Sequence, residues 1–344
     1  MTIPAVWFCL VAISVAGYVV LDGFDLGAGF VSLFIARNEG ERRQVLSSIG
    51  PFWDGNEVWL LAGGGTLYFA FPALYASAFS GFYLALMIVL WLLILRGIAI
   101  EFRNHLENPL WKPFWDAIFG GSSALLALLL GVALGNVVRG VPLDADGYFF
   151  LPLWTSFQPG VQAGVIDWYT LLIGITSLAA LAAHGCLWVV YKTSGPIEER
   201  SRSAGSKLWW ILAALTAVTT LVSFSIQPHL AVQFQQQPWG AVFPLLAVLG
   251  LAGMKGMGAR HQDLAAFLAS CLYLVGMLTS VTFGVFPYVL PSNIQPDFSL
   301  TIQNASAAPN GLEIGLWWWI PGMALAAAYS AFVYKRFAGK VDNA

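Results

Sequence analysis

Charge is the scarcest feature of this sequence: Asp, Glu, Lys and Arg make up 10% of its 344 residues, while 58% are hydrophobic. A soluble protein carries about 25% charged residues, so a single water-facing fold is excluded and the bilayer is the expected solvent. The formal net charge of -2 leaves no basic footprint for nucleic acid. Cysteine is scarce too. Cys9, Cys186 and Cys271 lie apart in apolar runs without CxxC spacing, which argues against a disulfide framework and against a zinc site. The N-terminus lacks the basic n-region of a cleaved signal peptide, and its apolar stretch outruns a signal core. It reads as a first spanning helix.

What the sequence has instead is long apolar runs. A spanning helix needs about 20 mostly apolar residues. By that measure nine segments qualify, at 5–35, 51–71, 76–100, 116–138, 163–190, 207–226, 238–255, 263–290 and 312–335. Their length and lack of alternation exclude a β-barrel. The expected fold is an all-α, polytopic integral membrane protein in a single membrane domain. The basic residues set its orientation. Of sixteen, fourteen fall in connections on one side, Arg96 lies in a helix near that side, and Arg139 is the exception. This places the N-terminus outside and the C-terminus in the cytoplasm, with no outer loop long enough for a separate domain.

Ionisable residues at membrane depth are costly and usually face the bundle interior. The first span contains LDGFDLGAG (21–29), whose Asp22 and Asp25 are three residues apart and share a helix face. Gly23 and Gly27 form a GxxxG pair that admits another helix closely. The second span enters from the cytoplasm as GPFWDGNEVW (50–59), with Asp54 and Glu57 again three apart. The third brings Arg96 and Glu101 to similar depth. Sequential helices tend to be neighbours, so these six residues are expected to form one polar cluster. One arginine cannot neutralise so many acids. That excess favours a proton-conducting chain opening to the cytoplasm, with Asp22, Asp25, Asp54 and Glu57 as its groups and Arg96 and Glu101 as charge partners. The plainer reading, helix packing fixed by an Arg96 ion pair, stays open from the residues alone.

A haem carried within a span needs facing His, or His with Met, ligands. Of the four histidines, His105 and His261 fall in cytoplasmic connections and His229 in an outer loop. Only His184 lies within a span, where a hydrogen-bonded structural role is the ordinary one. No haem ligand and no metal site is therefore expected in this chain. The Trp209-Trp210 and Trp317-Trp318-Trp319 runs suit interfacial aromatic belts.

LDGFDLGAG, GPFWDGNEVWL and RGIAIEFR, followed in order by KTSGPI (192–197) and SLTIQNASAAP (299–309), resemble subunit II of the cytochrome bd-type quinol oxidases. The similarity runs through essentially the whole chain. It implies two four-helix bundles, 1–138 with the acidic cluster and 163–290, plus a peripheral helix at 312–335. It further implies a heterodimer in the bacterial inner membrane with a structurally similar subunit I. That partner would hold haem b, haem d and the quinol-oxidising loop, while this subunit supplies a proton route for reduction of O2 to water. Some relatives hold a structural quinone in this subunit or carry small accessory subunits; no motif here assigns either. Asp22, Asp25 and Asp54 match the family's acids, whereas some members have Gln at the position of Glu57. GLEIGLW (311–317) departs from the family pattern, with Glu313 where relatives are basic. A proton-coupled secondary transporter would also suit intramembrane acids and glycine-rich helices. The crowding of acids into the first three spans, together with the resemblance, favours the oxidase.

Overall fold

The structure is a computed structural model that describes residues 2–341. Twelve α-helices carry nearly all of the fold: α1 (Ile3–Ile35), α2 (Glu39–Ile49), α3 (Trp53–Ala70), α4 (Pro72–Gly81), α5 (Tyr83–Phe102), α6 (Trp111–Arg139), α7 (Trp168–Lys192), α8 (Pro196–Ile226), α9 (Pro228–Gln236), α10 (Val242–Ala259), α11 (Asp263–Val285) and α12 (Pro309–Arg336). Among the described residues, eight helices are long and apolar enough to cross a membrane. The pair α3 and α4, bent by 119° between them, brings the number to nine when taken as one span. The polar residues Asp54, Asn56 and Glu57 dilute the apolarity of α3, which is why it does not pass alone. The fold is all-α and polytopic.

Local chemistry explains where the helices begin. Proline stands in the first turn of α1, α4, α8, α9 and α12, where its missing N–H costs nothing. The side chain of Asn38 caps α2 by accepting from the Glu41 backbone N–H. Asp167 and Thr170 form a capping box at the start of α7.

Two boundaries differ from the sequence expectation. The segment expected to span 76–100 begins inside α4 and breaks at Phe82, and the span proper is α5. The apolar composition of PALYASAFSG masks a short helix that folds back from α3. The segment expected at 207–226 is the inner part of a helix that starts eleven residues earlier, at Pro196. Its first three turns are polar and so fall outside an apolar window.

α1 lies centrally and packs on α3, α6 and α7, while α10 and α11 form the tightest antiparallel pair. Gly27 lies against the backbone of α7, and a Cβ there would strike the Leu181 carbonyl and the Gly185 N–H. This is the close approach that the GxxxG pair predicts. α12 is exposed along its apolar stretch, with Trp317 and Trp318 among its most open residues. It is tied down at one end by Trp7, whose indole donates to the Leu312 carbonyl at 3.1 Å. The 286–308 connection closes with a short antiparallel pair, β1 (Tyr288–Leu290) and β2 (Leu300–Thr301).

Candidate functional site: an acidic cluster beside a closed ion pair

The acids of α1 meet α3, α5 and α12. Arg96 of α5 grips Asp22 through both guanidinium nitrogens, Nη2 to Oδ1 at 2.5 Å and Nη1 to Oδ2 at 3.0 Å. Both side chains are fully buried. This bidentate geometry is the strongest that an arginine and a carboxylate can make. Asp22 is thus committed.

Asp25 is not. It is fully buried one turn further along α1, and its Oδ2 accepts from the Asn56 amide at 2.7 Å. Its Oδ1 has no hydrogen-bond partner. Asn56 is held on every side: its amide nitrogen also donates to the Leu21 carbonyl at 2.9 Å, and its oxygen accepts from the Tyr334 hydroxyl at 2.9 Å. An amide fixed in this way orients Asp25 but cannot itself relay a proton, since it has none to give up at ordinary pH. The second oxygen of Asp25 is the carboxylate position that no protein group occupies.

The remaining expected residues are spread along the approach. Glu57 is half-buried on α3, and Asp54 is exposed in the first turn of the same helix. Glu101 is exposed at the end of α5 and, among the described residues, makes no ion pair. The structure therefore joins Asp22 to Arg96 and Asp25 to Asn56, and it does not bring Glu101 into that network. Two residues further on, Arg103 is buried and holds a second network. It bonds Glu39 of α2 at 2.8 Å and Asp116 of α6 at 2.6 Å, and Arg42 reaches the same Asp116 at 3.2 Å. Burial works against the Arg103 cation, but the two carboxylates more than offset it and its pKa stands above the ordinary arginine value. The Arg103 hydrogen bond in turn holds the Glu39 carboxyl below its usual range. This network was missed from the sequence. Its only signal was an acid, Asp116, at the mouth of the fourth span.

At the opposite end of the spans, Arg139 pairs with Asp167. It also donates to Asn136 at 2.7 Å and to the Gly164 carbonyl at 3.3 Å. Asp167 meanwhile caps α7 through the Tyr169 and Thr170 N–H groups at 2.8 and 3.0 Å. Every group in this knot has its partner. His184 is buried as well, with Nε2 3.0 Å from the Val20 carbonyl and Nδ1 2.6 Å from Ser270. Both ring nitrogens are engaged by protein, so His184 as placed does not fit an axial haem ligand. Among the described residues no group of three His, Cys, Asp or Glu is placed to hold a metal.

Residues 3–337 match the family described as cytochrome bd terminal oxidase subunit II. The chain belongs to this family. It is 32% identical to the "Probable cytochrome oxidase subunit 2" of Haemophilus influenzae, covering 98% of this chain and 94% of the relative. It is 31% identical to the "Cytochrome bd-I ubiquinol oxidase subunit 2" of Escherichia coli K12 over 98% of this chain and 95% of that one. The "Cytochrome bd ubiquinol oxidase subunit 2" of Bacillus subtilis is 30% identical, covering 90% and 88%. The fold matches a chain of the bd oxidase from Geobacillus thermodenitrificans with a TM-score of 0.77 at 15% identity, covering 98% of this chain and 99% of that one. As a member of the cytochrome bd terminal oxidase subunit II family, the chain is an integral membrane protein. It acts as one subunit of a haem-containing oxidase complex.

Proposed function

We propose that this chain pairs with the haem-bearing subunit I of a cytochrome bd-type quinol oxidase and carries protons from the cytoplasm toward the site where O2 is reduced to water. The observation that carries the reading is the unequal state of the two acids on α1. Asp22 is closed by Arg96, whereas Asp25, equally buried, keeps one oxygen open. A purely structural cluster would satisfy both, since an orphaned buried carboxylate oxygen is costly. The route begins at the exposed Asp54, passes the half-buried Glu57 one turn on, and reaches Asp25. Arg96 and Asp22 form a fixed charge pair beside it, and Asn56 sets the orientation of the Asp25 carboxyl. The haems belong to the partner chain, because the only histidine within a span here, His184, has both nitrogens engaged. Haem b and haem d there would supply the electron transfer from quinol to oxygen. In the same reading, the helices before residue 139 and those of 163–290 form two bundles, with α12 peripheral to both. The N-terminus lies on the periplasmic side of the bacterial inner membrane and the C-terminus on the cytoplasmic side.

The test is made on the complex isolated through a tag on this chain. A haem-bearing partner should co-purify with it. Asp54→Asn keeps the shape of the side chain and removes the titratable group. It should leave haem content intact while quinol-driven oxygen uptake falls about tenfold, equivalent to roughly 1.4 kcal/mol on the limiting step. Full haem with unchanged turnover removes Asp54 from the route. The orientation has its own check: a reporter active only in the periplasm, fused after Lys340, should be silent.

A further inference from the structure

Away from the acidic cluster, a second opening lies between α7, α8, α10 and α11. It is a cavity of about 250 Å³, with Leu187, Val190 and Met254 in its apolar wall and Ser206, Lys255 and His261 in its polar part. That is many times the space one water requires. Its charge balance sets it apart from the rest of the molecule. Among the described residues, the cations that are not exposed nearly all face a carboxylate: Arg42, Arg96, Arg103, Lys112, Arg139, Arg200 and Arg202. Lys192 and Lys255 do not. Lys192 donates instead to the Phe337 carbonyl at 2.6 Å. Lys255 has only the Ser206 hydroxyl at 3.1 Å, and it lies 5.4 Å from the ring centroids of both Trp209 and Trp210. The one acid in the cavity wall, Asp263, is taken by Arg202 at 2.8 Å.

An ammonium has three donors, so Lys255 keeps capacity for an anion. The two indoles beneath it mark the depth at which lipid headgroups lie. The wall that continues inward is hydrocarbon, and the outer face of α8 beside the opening exposes Trp210 and Ile211. An anion that suits both parts carries a hydrocarbon tail. Room is available too, since a Cβ placed on Gly258 in the wall would meet nothing within 4 Å.

We propose that this cavity holds the headgroup of an anionic phospholipid, with its phosphate on Lys255 and Ser206 and its glycerol and upper acyl chain along Leu187, Val190 and Met254. Basic pockets between spans are a recurrent form of such recognition. The proposal does not depend on the oxidase reading, because its readout is bound lipid.

The complex, stripped of lipid and then offered phosphatidylglycerol or phosphatidylcholine, is weighed intact by native mass spectrometry. Phosphatidylglycerol should be retained over phosphatidylcholine. Lys255→Gln should reduce that retention about fivefold, the ratio expected from one lysine at an anionic surface. Lys207→Gln, an exposed neighbour, should leave it unchanged. Gly258→Leu fills the cavity without altering charge and should produce a loss comparable to that of Lys255→Gln, which keeps the test decisive if the lysine variant fails to assemble. Equal retention of both lipids, retention unaffected by Lys255→Gln or Gly258→Leu, or displacement of the lipid by inorganic phosphate alone would each overturn the proposal.

Discussion

Two of the buried ion pairs of this protein, Arg139–Asp167 and Arg96–Asp22, are alike in composition and opposite in accounting. At the α7 N-terminal end, Arg139 and Asp167 share their bonds with Asn136, the Gly164 carbonyl and the first N–H groups of α7, and nothing is left over. In the acidic cluster, Arg96 satisfies Asp22, but a second acid three residues away keeps a buried oxygen without a partner. Buried polar groups are normally satisfied; here Asp25 Oδ1 and the neighbouring Tyr18 hydroxyl and Arg96 Nε are without partners, and the proposed proton route gives that local shortfall a use.

The sharpest way to break this contrast is to open the closed pair. Arg139→Met leaves Asp167 charged and unpaired inside the protein, a loss of about 3–5 kcal/mol. The yield of assembled complex and its thermal unfolding midpoint should both fall steeply. Adding Asp167→Asn should restore most of the loss, because Asn caps a helix as well as Asp does and the uncompensated charge is gone. If the single variant assembles normally, the outer pair is not structural and the comparison collapses.

The converse change belongs to the inner cluster. Asp25→Asn should leave haem content and unfolding midpoint nearly unchanged while oxygen uptake falls on the order of 100-fold, within the range for loss of a group that transfers protons. Loss of assembly instead would place Asp25 with the structural residues.

The smallest effect is expected at Glu39, the exposed member of the Arg103 network. Arg103 holds its carboxyl below the usual range. Its stabilising contribution is therefore fully present above the ordinary glutamate pKa of about 4.3 and is lost as pH falls through the lowered folded-state value. The difference in unfolding midpoint between the native protein and Glu39→Gln should be small at neutral pH and close on acidification. A difference that widens toward acid would contradict this sign.

The spans were legible in the sequence because a bilayer crossing is a matter of length and apolarity, which one chain displays by itself. The pairing of Asp22 with Arg96 was half legible: consecutive helices suggested the neighbourhood, but not which acid the arginine takes. Glu101 was misleading because closeness in sequence to Arg96 does not put it on the same face of α5. Tyr334 was invisible. It stands 278 residues from Asn56, and nothing in the local pattern of α12 announces that its C-terminal end docks on α3. Asp116 and Arg103 were hidden for a different reason, since charges at the ends of spans look like ordinary interfacial residues until a helix such as α2 is seen lying across them.

The glycine contact between α1 and α7 carries a mechanical consequence. Gly27 sits two residues beyond Asp25 and Gly185 follows His184, and at this point the two backbones touch with no side chain between them. Such a contact behaves as a rivet. Neither helix can slide or roll past the other without driving main chain into main chain, so Asp25 is pinned at one depth in the bilayer. A machine that worked by rocking one half against the other would need play at this crossing. The proposed proton route would then run along a scaffold that stays fixed at this crossing.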